Sequence, residues 1–254
     1  MSIFLGSDQI GSINLVQLQL QNIDTNLEDT FINRTISSYT NNETLSIQNY
    51  NFYNCTNLTE INFPKCERIG IYAFYNCSNL TSVSFPKCTS IGDNTFCYCT
   101  NLTKIDFLDC TSIGMSAFRS CYNLISVNFP NCISIESYAF QSCTNLTSIS
   151  FPNCSYIGNT AFQSCHSLTT ISFPKCISIG EYAFRNCFNL LSLYLMGSSI
   201  PKLVSTTAFL STPISNYTTS TGGIYGSIYV PASLYNDYLT ATNWSVYSAR
   251  IVSV

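Results

Sequence analysis

Between residues 63 and 194 the apolar positions return every 22 residues, in blocks that read FPKCERIGIYAFYNCSNLTSVS, FPKCTSIGDNTFCYCTNLTKID and four further variants. Six complete copies stand end to end, and a partial copy before them brings Phe52, Cys55, Leu58 and Ile61 into phase. A fixed period of this length is the signature of a stacked repeat, in which one unit cannot bury its apolar face alone but a column of units can. Within each unit the spacing L-x-x-V-x-F, as at Leu80, Val83 and Phe85, alternates inward and outward along a short strand. One such strand per copy, stacked in parallel, predicts a sheet. Ile91 and Phe96, or Ile113 and Phe118, then supply inward residues for an opposite wall. Gly70, Gly92, Gly114, Gly158 and Gly180 mark a backbone turn between the walls.

Cysteine follows the same period. The fourth position holds Cys66, Cys88, Cys110, Cys132, Cys154 and Cys176, and the fifteenth holds Cys55, Cys77, Cys99, Cys121, Cys143, Cys165 and Cys187. Cys97 alone is out of register. A metal site asks for paired C-x2-4-C ligands or clustered His, whereas here the cysteines are eleven residues apart and the chain has one His. Equivalent side chains on stacked coils point the same way, so their Cβ vectors do not converge as a disulfide requires. Each cysteine therefore reads as a small buried hydrophobe whose thiol donates to a turn carbonyl.

The combination S-I-G-x-x-A-F-x-x-C-x-N-L-T-x-I-x-F-P resembles the BspA-type leucine-rich repeat, also called the Treponema pallidum type, over roughly residues 44 to 195. The resemblance implies a right-handed solenoid used for protein binding or adhesion, without catalytic residues. The expected fold is a leucine-rich-repeat solenoid, with a parallel sheet of short strands and turns or short helical segments in each 22-residue repeat, capped at both ends. Residues 1–43 are expected to be an N-terminal cap and connector, 44–194 the solenoid, and 195–254 a degenerate last repeat and C-terminal cap. In that tail AFLSTPI echoes the Ala-Phe column and YGSIYVP a final strand. Leu234, Tyr235, Tyr238 and Leu239 then fall at helical intervals, SARIVSV reads as an edge strand, and Trp244 and Tyr247 read as cap core.

Only 9% of residues are charged and the net charge is -3, so no electrostatic footprint for nucleic acid exists. No apolar run reaches membrane-spanning length, and the start MSIFLGSDQI lacks a basic n-region; no membrane insertion and no signal peptide are expected. The family's surface members carry signal and anchoring parts, and the expectation here is a chain made in the cytoplasm and then released or virion-associated. The stretch FLGSDQI is similar to segments that open phage tail and baseplate-associated proteins.

Carboxylates are scattered singly, no nucleotide or hydrolase motif occurs, and His166 occupies a position where other copies place Ser, Thr, Tyr or Phe. No catalytic, cofactor or metal residues are expected. Function is expected in the outward positions of the strand wall: Glu60, Asn62, Ser82, Ser84, Lys104, Asp106, Ser126, Asn128, Ser148, Ser150, Thr170, Ser172, Ser192 and Tyr194. They form a shallow polar surface suited to a protein or glycan ligand rather than a metabolite. The alternative is a structural component of a larger particle that oligomerises through its caps.

Overall fold

The computed structural model describes residues 37–215 and 225–254. The chain winds into a parallel β-solenoid of about nine turns, each close to 22 residues. Every complete coil has two strands where the sequence predicted one. A three-residue strand, such as Glu60–Asn62, Lys104–Asp106 or Thr170–Ser172, builds a long-strand wall. A two-residue strand, such as Arg68–Ile69, Ser112–Ile113 or Tyr156–Ile157, builds a short-strand wall opposite. The segments between are turns, and the only helices among the described residues lie in 232–250, so of the expected turns or short helical segments it is turns that join the strands within the repeats.

The two walls pair differently. The short-strand wall is one eight-stranded parallel sheet from Ser46–Ile47 to Lys202–Leu203. The long-strand wall is not the single sheet expected from the sequence. Its pairing opens between Ser82–Ser84 and Lys104–Asp106, and again between Ser148–Ser150 and Thr170–Ser172. The phenylalanines that end these strands record the same seams. Phe85 and Phe107 lie 5.8 Å apart and Phe151 and Phe173 6.3 Å, against 5.5 Å for Phe107–Phe129 and Phe129–Phe151. Twist accumulates along neighbouring strands, and the longer strands release it at seams three coils apart; two-residue strands carry too little to need one.

The core is a set of ladders. Phe52, Phe74, Phe96, Phe118, Phe140, Phe162, Phe184 and Phe209 stack with centroids 4.9–5.4 Å apart and planes within 8° of parallel. Phe209 joins this column from the degenerate tail, as its Ala-Phe echo predicts. All fourteen cysteines are buried and free. The fourth-position thiols donate within their own coil, as Cys66 Sγ does to the Arg68 carbonyl at 3.1 Å. The fifteenth-position thiols donate to a phenylalanine carbonyl of the preceding coil, as Cys77 does to Phe52 and Cys187 to Phe162, both at 3.1 Å. The thiol-to-turn reading therefore holds in the fifteenth-position column, whereas the fourth-position thiols meet the carbonyl of the first residue of the short strand instead.

The glycine reading changes. No repeat glycine has a positive φ; a Cβ on Gly114 would instead lie 2.6 Å from the Gly92 carbonyl carbon and 2.7 Å from the Asp93 nitrogen. The column is small because coils touch there, and Glu136 occupies it once with nothing in the structure to explain the exception. The left-handed positions lie elsewhere. Tyr72, Asn94, Ser116, Tyr138, Thr160 and Tyr182 all have φ between 54° and 63°, as do residues four further on, such as Asn76 and Ser164. Alternating hands turn successive amides along the solenoid axis. Tyr72, Phe74 and Asn76 thus donate to the carbonyls of Asp93, Thr95 and Cys97 in the next coil at 2.8–2.9 Å.

Thr160 is the costly member of this column, because a β-branched side chain at φ 62° is a steric outlier that Asn tolerates. Thr160→Asn, a residue the column already accepts at Asn94, is expected to raise stability by about 0.5–1 kcal/mol. Thermal denaturation would show this as a Tm increase of about 1–4 °C.

At the C-terminal end Ser227–Val230 continues the long-strand wall beside Ser192–Tyr194, and Ile251–Ser253 adds a last parallel strand. Between them a short helix covers Tyr235–Thr240. Trp244 Nε1 donates to the Pro201 carbonyl and Asn243 Nδ2 to that of Leu203, both at 2.7 Å; Tyr247 Oη donates to that of Thr206 at 2.5 Å. These side chains satisfy carbonyls of the last coil that no further described coil reaches. At the other end the stack begins before residue 44, since Ser38–Thr40 pairs in register with Glu60–Asn62. The expected cap and strand within residues 1–36, FLGSDQI included, lie outside the described residues.

Candidate binding surfaces

The fourteen outward residues do fall on the long-strand wall in register. Glu60 stands beside Ser82, Lys104 beside Ser126, Ser126 in turn beside Ser148, and Thr170 beside Ser192. Along the second outward column Asn62 pairs with Ser84, Asp106 with Asn128, Asn128 in turn with Ser150, and Ser172 with Tyr194. The seams divide them into three blocks, so Glu60, the Lys104 and Asp106 pair, and Tyr194 sit in separate hydrogen-bonded patches. Lys104 Nζ lies 2.8 Å from Asp106 Oδ2, and this hydrogen bond holds the Asp106 carboxyl below its usual pKa. Both side chains are substantially exposed, so the pair adds little stability and serves chiefly as a local charge mark on a neutral wall. Tyr194 stacks on Tyr229 with centroids 4.5 Å apart, extending the wall's aromatic end beyond the residues expected from sequence.

A second surface was missed. The left-handed turns form an edge between the walls, and its first three coils carry Tyr50, Tyr53, Tyr72, Tyr75 and Tyr98 in one cluster. Tyr50 stacks on Tyr72 at 5.2 Å and Tyr53 on Tyr75 at 5.1 Å, with planes within 6° of parallel. The two stacks lean on each other at 5.4–5.8 Å, and Tyr98 meets Tyr75 edge-on. The sequence signal was available: Tyr recurs at 22-residue spacing in positions 50 and 72, and in 53 and 75.

His166 lies on the same edge two coils beyond Tyr122 and stacks on Phe188 at 4.9 Å, a packing contact of a variable surface position. Burial pushes the thiols of Cys110, Cys154, Cys176 and Cys187 up to about 12, which disfavours the thiolate form a nucleophile needs. No helix among the described residues is long and apolar enough to cross a membrane.

Several solved structures are similar to the chain. The leucine-rich repeat protein of T. pallidum is 20% identical, with 52% of this chain and 78% of that one covered and a TM-score of 0.42. A leucine-rich repeat protein of Bacteroides ovatus is also 20% identical, over 83% of this chain and 64% of that one, with a TM-score of 0.41. The pneumococcal vaccine antigen PcpA is 13% identical, over 85% and 77%, with a TM-score of 0.44. No curated protein matches the chain. The family model for the BspA type leucine rich repeat region matches residues 25–133 and 111–225. With most of its length matched, its 22-residue period and its two-walled solenoid, the chain belongs to the BspA-type leucine-rich repeat family, whose members are generally surface, adhesion or binding modules.

Proposed function

We infer that the protein is a non-enzymatic adhesion module that holds a macromolecular ligand, protein or glycan, on its long-strand wall. The observation that carries this reading is the register of the outward columns, which repeats hydroxyl and amide groups once per coil across a shallow face. Such a face suits many weak hydrogen bonds spread along an extended partner. The low charge of the chain disfavours nucleic acid as that partner. Host recognition is the setting that this chemistry and family fit.

Labelled protein is expected to bind saturably to a subset of bacterial or mammalian cells. The variant Lys104→Ala with Asp106→Ala and Tyr194→Ala is expected to lose about tenfold in affinity while melting as the parent does. Absence of saturable binding across the panels would sink the adhesion reading. It would favour the alternative of a component assembling through its C-terminal cap, where Val252 and Val254 are 38% and 55% exposed on and beside the last strand. Sedimentation at rising concentration tests that alternative directly, since a strictly monomeric protein excludes it.

A further inference from the structure

We propose that the tyrosine cluster on the turn edge, Tyr50, Tyr53, Tyr72, Tyr75 and Tyr98, is a second binding site, for a neutral glycan chain running along the solenoid axis. Five tyrosines gather on this edge within three consecutive coils, and the stacking of their rings sets it apart. Tyr50, Tyr72 and Tyr98 sit at φ 61°, 56° and 63°, where Asn or Gly fits at lower cost, but Tyr138 and Tyr182 share the column of Tyr50 and Tyr72 without joining the cluster, so the rings and not the backbone mark the site.

What they display is periodic and uncharged. The stacked rings turn their faces on one another, which leaves edges and hydroxyls for solvent, and no hydrogen bond to another described residue engages those hydroxyls. They step along the axis by 5.1–5.2 Å, close to the length of one pyranose unit in an extended polysaccharide. Beside them run amides at the same period: Asn76 Nδ2 donates to Asn54 Oδ1 at 3.0 Å and Asn101 Nδ2 to Asn79 Oδ1 at 3.3 Å. Asp93 is the one charged residue of these three turn segments, 49–57, 71–79 and 93–101, so a charged polymer finds no counter-charge ladder.

Size decides against a folded protein partner. Tyr50 is 52% exposed and the other four rings are half-buried. The cluster therefore offers on the order of 200–400 Å², counting about 200 Å² for a whole aromatic side chain. A stable protein interface takes about 800 Å² per partner, whereas two or three sugar rings fit the smaller area.

The test titrates the full chain with soluble neutral polysaccharides, a linear β-glucan, a mannan and a xylan, by calorimetry. Tyr50→Asn with Tyr72→Asn is the informative variant, because Asn suits the left-handed backbone and the fold should survive, as a thermal melt confirms. Binding to at least one polymer is expected, weakened about tenfold or more in this variant, since two contact rings contribute about 1–3 kcal/mol. Lys104→Ala with Asp106→Ala is titrated alongside, to separate this edge from the long-strand wall. No binding to any of the three polymers overturns the proposal, as does equal binding by the tyrosine variant. Loss in the Lys104 and Asp106 variant alone places the glycan on the long-strand wall, overturning this site while supporting the adhesion reading. Cell binding that needs the tyrosines yet vanishes when the cells are treated with protease identifies a protein occupant and also overturns it.

Discussion

Phe118→Ala is expected to destabilise the protein by about 3–5 kcal/mol and to split its unfolding into two transitions. Phe118 is fully buried, stacks between Phe96 and Phe140 at 5.3 Å on each side, and meets Phe129 edge-on at 6.0 Å. Truncation opens a hole that its surroundings cannot close. The backbone on either side is held by the Phe96 and Phe118 amides, each 2.8 Å from the carbonyl of an alanine in the next coil. Neighbouring rings cannot slide inward without breaking those bonds. In a stack where each coil contacts only its neighbours, the loss falls on two adjacent interfaces in the middle of the array. The halves before and after the lesion then unfold with less coupling, so the denaturant slope of the first transition falls with the surface it exposes. Phe52→Ala, near the start of the same column, is the control. It is expected to cost less and to leave one main transition, because a lesion at the end shortens the array without dividing it. Equal destabilisation with unchanged slopes in both variants would refute this nearest-neighbour account.

The sequence revealed the inward columns because each keeps one residue type at one spacing, and burial tolerates little else. Phe118, Cys121 and their equivalents could therefore be placed before any coordinates. The backbone hands were hidden for the opposite reason. The left-handed positions carry Tyr, Asn, Ser or Thr, so no single residue marks them, while the conspicuous glycines report coil contact rather than φ. The short-strand wall was half legible: Ile91 and Ile113 were read as inward, but a two-residue strand is too brief for alternation to show. Nothing local announces the seams, which arise from twist summed over several strands. Of the surfaces, the wall residues were legible because strand alternation dictates which side faces out. The tyrosine edge escaped because turns have no such rule, although the spacing of Tyr50 and Tyr72 carried it.

Alkaline pH is expected to unfold the protein cooperatively between about pH 9 and 10, well before the tyrosines of an ordinary surface titrate. Burial raises the pKa of thirteen thiols, from Cys66 to Cys187, with Cys97 reaching about 11 and Cys110 about 12. In the unfolded chain the same thiols titrate near 8.5. Below that pH both states hold their protons, and the stability is fully present. Above it the unfolded chain releases protons that the folded chain keeps, so unfolding becomes more favourable as pH rises, until the folded thiols themselves ionise. Each thiol then contributes a loss of about 1.4 kcal/mol per pH unit. Summed over the column this reaches on the order of 10 kcal/mol by pH 9, relative to pH 7, comparable to the whole stability of a typical domain. Urea denaturation at pH 7, 8 and 9 would measure it directly. Cys121→Ala with Cys143→Ala and Cys165→Ala lowers the starting stability through lost packing, but it removes three linked protons. Between pH 7 and pH 9 the pH slope should therefore become shallower by about 1 kcal/mol per unit on average, approaching about 4 only well above pH 8.5. Because the slope counts protons and not contacts, it separates linkage from packing, and a stability that stays level from pH 7 to pH 9.5 would show that the thiol ladders carry no such linkage.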